Sequence, residues 1–553
     1  MTIDTSTREH HLGAALAELE AAAPRLAATD AGARAELARE CIGSLADAAE
    51  PWAAAAVTAK GLPEASPWLA EELVTGPVAV ARMLQLLVGS LEDVARGGAP
   101  RLPGPLRTDS SGRLRAPVLP VRRLQDGVAF KGFSGEVVLA EDVTEETRFA
   151  GLRRGEPGLA LVLGAGNITS IGIADTLEHV LIDGMATGLK LHPHFGPLEP
   201  HFARALSPLV RRGFVRILTG EAELGASAVR DPRVALVHIT GSASTFREVV
   251  RTHREAGAGS PDRGPTATRF VAELGNVTPW IVVPGEWSAK DLTFQAQNLA
   301  GSILSNASFN CICPKVVVTS RAWPQREEFL ETLRALLASV PPRPAFYAGA
   351  TERFLELVGE PAGAPAGHLP WTLLRDTDPD SRPELFEREN FLCVSAETSL
   401  DEPDPALFID AAARFADERL AGTLAATIVV HPRQRATGPV AHALERAVER
   451  MRYGTVCINQ FAGLSFVLMS TPWGGAPGAT LDEPQSGIGF GHNPFMLEGI
   501  EKTVFEGPFR ISPTPMWLPT NRNPVRIARA LLALYLRPSP ARLPGLLVQA
   551  LRG

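Results

Sequence analysis

The chain has 553 residues, 45% of them apolar and 21% charged, with a formal net charge of −7. That length implies two or three domains, and the acidic balance argues against a nucleic-acid partner. Five cysteines without framework spacing indicate reduced thiols in a cytoplasm. No basic segment followed by an apolar core opens the chain, and no uncharged apolar run reaches about 18 residues. Neither a signal peptide nor a membrane span is expected.

Residues 8–96 are rich in Ala, Leu and Glu with helical periodicity, and Pro24, Pro51 and Pro63 are expected to break them into several helices. Residues 97–124 read as a Gly-, Pro- and Arg-rich connection. Residues 117–140 read as extended, with turns at Asp126-Gly127 and Ser134-Gly135. From 158 the pattern alternates. Strands are expected at 158–163, 187–191, 215–218 and 234–239, with helices at 173–185, 198–212 and 222–229 between them. This alternation predicts a parallel sheet with right-handed crossovers, which binds ligands at the carboxyl ends of its strands. Residues 255–268 read as a surface loop. A second α/β section runs from about 275 to 470, then a Gly/Pro-rich loop over 470–494. Residues 525–551 are basic and apolar, interrupted by Pro538, Pro540 and Pro544.

Residues 306–315, NASFNCICPK, hold two cysteines between a helix-like run and an apolar strand. Cys311 there reads either as a small buried hydrophobe or as a presented nucleophile. Cys313, two residues on, faces away in an extended loop and reads as structural. Their spacing and surroundings predict no metal site. Gly241 and Ser242 lie where a strand turns into a helix, a place whose amide groups favour phosphate. Lys190 ends a strand, within reach of a ribose hydroxyl or phosphate. Glu273 ends the apolar strand RFVAE, where burial would raise its pKa towards the range of a general base. Glu389 and Phe391 precede another apolar strand and could clasp a diol and pack against a ring.

Together, and in order, these fragments resemble the aldehyde dehydrogenase superfamily over about residues 10–510. AKGLP around Lys60 resembles the family's Gly-Lys-Pro segment, and GLALVLGAGN the strand leading to its catalytic asparagine, here Asn167. GLKLHP resembles the strand with the adenosine-ribose lysine, Lys190. ILTGEAELGASAVRDPRVALVHITGS resembles the run with the pyrophosphate turn, placing Gly220, Gly241 and Ser242 at the cofactor. VAELGN resembles the ELGG motif, with the general base on Glu273 and Leu274 beside the cofactor. NASFNC resembles N-x-G-Q-x-C, with the nucleophile on Cys311. ENF resembles E-x-F, giving Glu389 and Phe391 the nicotinamide ribose, and GTVCIN resembles the late G-x-V-x-(V/I)-N segment. The chain departs from the pattern in four places. Ala165-Gly166 stand for Pro-Trp, Ser308-Phe309 and Asn310 for the residues before the thiol, and Asn276-Val277 for Gly-Lys after ELG. Pro193 stands for the acid that favours NAD.

The resemblance implies an α/β chain with two doubly wound parallel-sheet domains and a small β oligomerisation arm. Residues 1–116 and 141–274 would bind NAD or NADP, and residues 275–475 would carry the thiol. Residues 117–140 and 500–522 would form the arm of a homodimer or homotetramer. The implied reaction oxidises an aldehyde to an acid through a Cys311 thiohemiacetal and a thioester, which water activated by Glu273 hydrolyses. Transfer of the acyl group to CoA, or a catalytically silent scaffold, are the alternatives. Phe309 and Asn310 are expected in the tunnel wall beside the thiol. Residues 523–553 would either lie on a membrane surface or pack over the protein or a subunit interface.

Overall fold

The computed structural model describes residues 5–152, 158–257, 268–361 and 363–553. The loop expected at 255–268 falls mostly outside them. Two sheets organise the chain. In the first, strands Val215–Leu218, Ala186–Lys190, Leu159–Leu163, Val234–Thr240 and Arg269–Glu273 lie side by side and parallel, and Gly487–Ile488 closes antiparallel on the last. The chain builds outward from Leu159–Leu163 on one side, then returns to build on the other. The order therefore reverses between Leu159–Leu163 and Val234–Thr240, which opens a crevice at their carboxyl ends.

The second sheet has ten strands. Its parallel part runs from Ile500–Glu506 through Thr455–Ile458, Ala425–Val429, Thr278–Val282, Pro314–Ser320 and Val394–Leu400 to Thr372–Leu374. The arm strands Leu114–Leu119 and Ser134–Leu139 continue it antiparallel beyond Ile500–Glu506. Strands Thr278–Val282 and Pro314–Ser320 are buried at every residue. That is why they read as continuous apolar runs and not as alternating ones.

The helical N-terminal region departs from expectation. Pro24 and Pro51 lie inside helices Thr5–Ala27 and Ala31–Ala59. One break falls at 28–30, where Asp30 caps the second helix by accepting from Ala33 N, and the other at 60–68, around Pro63 as expected. Tertiary packing overrides the local cost of proline here, since Ala48, Ala49, Trp52 and Ala53 around Pro51 are buried. The run Leu69–Ala95 is long and apolar enough to cross a membrane, but 67% of its most apolar window is buried within the protein. It also bends at a π turn through Gly76 and Pro77. The expected helix over 198–212 is two helices, Glu199–Ala205 and Ser207–Arg212. The helix expected at 173–185 is Ile171–Glu178 followed by a π turn.

Within the arm, residues 123–129 form a helix, Arg123–Ala129, where an extended chain and a turn were expected. Asp126 explains it. Its carboxylate accepts from Val121 N at 2.7 Å and Arg122 N at 3.1 Å, and it pairs bidentately with Arg82 at 2.8 and 3.2 Å. Arg82 also donates to Tyr535 Oη at 3.0 Å. Residues 525–551 fold as two helices, Pro524–Leu536 and Leu543–Leu551, with Pro544 in the first turn of the second, where proline is tolerated. The first packs on helices Ala31–Ala59, Leu69–Leu73 and Ala79–Ala95. One buried guanidinium thus ties an N-terminal helix, the arm and the C-terminal pair. Replacing Arg82 with Met should lower unfolding free energy by about 3–5 kcal/mol, because Asp126 then stays buried without a counter-charge. Urea unfolding is the measurement, and adding Asp126→Asn should recover part of the loss.

Candidate active site

The candidate site lies where the carboxyl edge of the six-stranded sheet meets the amino edge of the ten-stranded one. Glu273 is the last residue of its strand, and the chain crosses at once to Thr278–Val282 in the other sheet. Pro314 pairs beside Thr278, so the loop carrying Cys311 comes level with Glu273. Thr278 Oγ1 donates to Cys311 O at 3.0 Å. The Cys311 thiol donates to Glu273 Oε1 at 3.3 Å.

A strained turn holds this loop. Asn306, Ala307 and Ser308 all take left-handed backbone angles, with φ of 52°, 54° and 63°. Such residues cost of order 1–3 kcal/mol each unless their surroundings over-determine them. Asn306 is fully buried, and its Nδ2 donates to Phe309 O at 2.8 Å and Asn167 O at 3.1 Å. Its Oδ1 accepts from Lys60 Nζ at 2.7 Å, and its N–H donates to Glu71 at 2.7 Å. Lys60 is itself buried against Glu72 at 2.6 Å. Lys315 Nζ closes the other side, donating to Ser308 O and Oγ at 3.0 Å and Leu392 O at 2.6 Å. Asn167 Nδ2 donates to Phe309 O at 3.2 Å, which sets its amide beside the thiol loop. The sequence singled out Lys60 only as part of a motif and did not foresee Asn306 or Lys315 as anchors; the signal available was the scarcity of lysine.

Burial raises the pKa of Glu273 and of Cys311, and Glu273 and Glu389 push the thiol up further. Sulfur therefore holds its proton more tightly, and Glu273 Oε1, which accepts that proton in a hydrogen bond, is the group set to take it. Cys313 is buried and donates to Ser305 O at 3.3 Å, as its structural reading requires. Thiol alkylation by iodoacetamide, read by mass spectrometry with Cys311→Ala as control, should rise about tenfold per pH unit and keep rising past pH 9. A plateau below pH 8 would contradict the raised thiol.

Glu389 and Phe391 lie ahead of Val394–Leu400, on the same amino edge. Glu389 covers Gly275 so closely that a Cβ there would meet its carboxyl at 2.2 Å. Burial pushes Glu389 up to about 7, and its Oε1 has no hydrogen-bond partner among the described residues. The folded state thus keeps a proton that the unfolded chain loses near 4.5, so this group lowers stability as pH rises from there to about 7. Glu389→Gln should flatten that part of the melting-temperature profile.

At the crevice of the six-stranded sheet, Lys190 ends its strand, mostly buried, and burial lowers its pKa. Ser242 Oγ accepts from Thr245 N at 3.1 Å, capping helix Ala243–Gly257 as expected. The Gly241 N–H donates to Glu273 O, so phosphate would meet the amides that follow it. Gly220 turns with φ of 155°, and Leu274 N donates to Ser486 O at 2.8 Å. Thr240 Oγ1 and His194 Nε2 are buried without hydrogen-bond partners among the described residues. Thr240 Oγ1 beside the helix start and Glu389 Oε1 at the seam are thus polar atoms free to meet a ligand bearing hydroxyls and phosphates.

The departures have local causes. A Cβ at Gly166 would meet the His192 ring at 2.6 Å, so a large residue there is excluded. His192 stacks on Tyr347 with centroids 5.8 Å apart, and Tyr347 packs on Phe391 at 5.1 Å. Phe309 joins this aromatic group, 4.7 Å from Phe346. It therefore faces away from the tunnel, contrary to expectation, because a buried aromatic cluster receives it; Asn310 does line the tunnel. The tunnel is a mainly apolar cavity of about 1060 Å³ with Glu273, Asn310 and Cys311 at its inner end.

Behind Glu273 runs a buried polar string that sequence reasoning missed. His492 Nε2 meets Asp175 at 3.0 Å, His238 lies 3.7 Å from Asp175, and His238 meets His179 at 2.8 Å. His179 meets Asp183 at 2.8 Å, and Asp183 pairs with the half-exposed Arg269 at 2.9 Å. No spacing in the sequence joins these four elements.

A family model described as the aldehyde dehydrogenase family matches residues 198–350, a span that holds both Glu273 and Cys311. Lactaldehyde dehydrogenase from Escherichia coli shares the fold at 18% identity and a TM-score of 0.62, over 90% of this chain and 91% of that one. Residues 198–350 thus match the aldehyde dehydrogenase family, and the chain as a whole has the aldehyde dehydrogenase fold. Two other superfamily structures are similar. An NAD-dependent aldehyde dehydrogenase from Sinorhizobium meliloti is 16% identical over 91% of this chain and 88% of that one, with a TM-score of 0.62. Aldehyde dehydrogenase C from Pseudomonas syringae, complexed with NAD+ and octanal, is 15% identical over 92% and 90%, with a TM-score of 0.60. At such identities these superfamily structures establish the fold. A sequence comparison with curated proteins gives no match.

Proposed function

We propose that the protein oxidises an aldehyde to a carboxylic acid with NAD or NADP. The observation that carries this reading is the Cys311 thiol, hydrogen-bonded to the buried Glu273 carboxylate at 3.3 Å at the inner end of an apolar cavity. Glu273 takes the thiol proton, and the sulfur adds to the aldehyde carbon to give a thiohemiacetal. Asn167, whose Nδ2 donates to Phe309 O in that loop, and the Cys311 N–H would stabilise the negative oxygen. The nicotinamide, when bound, supplies the hydride acceptor that turns this adduct into a thioester. Lys190, Gly220 and the helix start at Gly241 and Ser242 would hold the adenosine and phosphate part. Leu274, Glu389 and Phe391 would hold the nicotinamide end. Glu273 gives up the thiol proton to solvent, then takes a proton from water as the water attacks the thioester carbon, and passes it to the departing sulfur, releasing acid and thiol.

Burial of Glu273 supports water as the acyl acceptor, since its raised pKa suits a general base. Glu273→Gln should lower kcat by about 10²–10⁴-fold. Cys311→Ala should abolish turnover. Purified protein given an aldehyde panel with each nicotinamide, with and without CoA, tests the reading. Reduced nicotinamide formed without CoA is the expected result; strict dependence on CoA, or none formed with any aldehyde, would overturn it.

A further inference from the structure

The outer wall of the tunnel is made by the C-terminal helices. Ile527, Leu531 and Tyr535 from the first, and Leu546, Leu547 and Ala550 from the second, line it. Most of its wall charges are spent within the protein: Glu71 pairs with Arg343 at 3.1 Å, Arg82 with Asp126, and Arg510 with Asp291 at 3.4 Å, while Lys131 is exposed at the rim. The tunnel volume lies at the upper end of the ~300–1,000 Å³ usual for small-molecule sites. Inside the rim, therefore, binding rewards hydrocarbon.

The rim is apolar too. Eight large hydrophobic residues are exposed among those described, and five belong to the arm helix Arg123–Ala129 and the second C-terminal helix. They are Leu124, Val128, Leu547, Val548 and Leu551, exposed by 57, 41, 45, 44 and 66%. The two helices pack against each other, and Val128 and Leu547 also line the tunnel, so the patch is continuous with its interior. Cations flank it. Arg122 and Lys131 are exposed at the two ends of the arm helix, and Arg542 and Arg552 at the two ends of the other. Residues 523–553 carry five arginines and no Asp or Glu, in a chain whose net charge is −7. An apolar patch ringed by cations complements an anionic lipid surface.

We infer that this patch seats the protein on an anionic bilayer, and that the tunnel behind it takes an aldehyde with a long, uncharged hydrocarbon chain drawn from that bilayer. The substrate part rests on the proposed aldehyde oxidation; the surface part does not. Each methylene buried in the tunnel should raise kcat/KM about fourfold, from a transfer free energy of about 0.8 kcal/mol.

The test uses the full chain with phosphatidylcholine vesicles, with and without phosphatidylglycerol, and with propanal, decanal and hexadecanal. Flotation with the anionic vesicles, weakened by salt, is expected. The Leu124→Glu, Val548→Glu, Leu551→Glu triple variant should cut the bound fraction at least tenfold at an unchanged melting temperature. Leu531→Trp should lower the ratio of kcat/KM for hexadecanal to that for propanal at least tenfold. Absence from anionic vesicles would overturn the inference. So would a dimer, seen by light scattering, that the triple variant dissolves, because a second copy then covers the patch. Propanal turned over as well as hexadecanal would overturn the substrate class while leaving aldehyde oxidation standing. Vesicle binding with no turnover of any aldehyde would instead overturn the proposed function and keep the surface.

Discussion

Asn306 is the contact on which the site depends. Its amide bridges Asn167 O and Phe309 O, and its carbonyl oxygen receives a buried lysine that has only one counter-charge. These bonds hold three consecutive residues in backbone angles that side chains disfavour, and the turn so formed aims Cys311 at Glu273. Lys60, far away in sequence, thereby acts on the thiol loop without touching the thiol. The loop is rigid because its hydrogen bonds converge from both sheets, and a position held this way needs no reorganisation when the carbonyl arrives.

The two sheets divide the chemistry between them. The first offers carboxyl ends of strands, with helix starts and open polar atoms. The second offers the amino ends of three adjacent strands, each preceded by a loop with one reactive or polar side chain. Register, not proximity in sequence, brings Glu273, Cys311 and Glu389 to one seam. Like charges at that seam raise one another's pKa values, and burial adds to the effect.

Much of this was legible beforehand. The apolar runs at 316–318 and 234–239 announced buried strands because parallel sheets cover both faces, and the alternation of elements announced the doubly wound order. The signals failed where packing overrode local preference. Pro51 sits inside a buried helix, Asp126 bonds Arg82 where an extended stretch and a turn were expected and a helix forms, and Phe309 follows an aromatic cluster instead of lining the tunnel. The left-handed turn at 306–308 contains no glycine to betray it, and the string from His492 to Arg269 joins residues that only the fold brings together. The C-terminal helices read as basic and amphipathic, but nothing in their own sequence tells that their apolar side completes a pocket begun near residue 62.

That last feature bears on how the molecule comes into being. The tunnel draws its lining from residues near 62–82, 128–133, 304–312, 461–473 and 508–550. During synthesis the nucleophile leaves the ribosome well before the helices that wall its chamber. Until they arrive, the nascent chain presents Leu464, Val467 and their apolar neighbours to water, a sticky surface of the kind chaperones hold. The chamber is complete only once the late helices have docked on it.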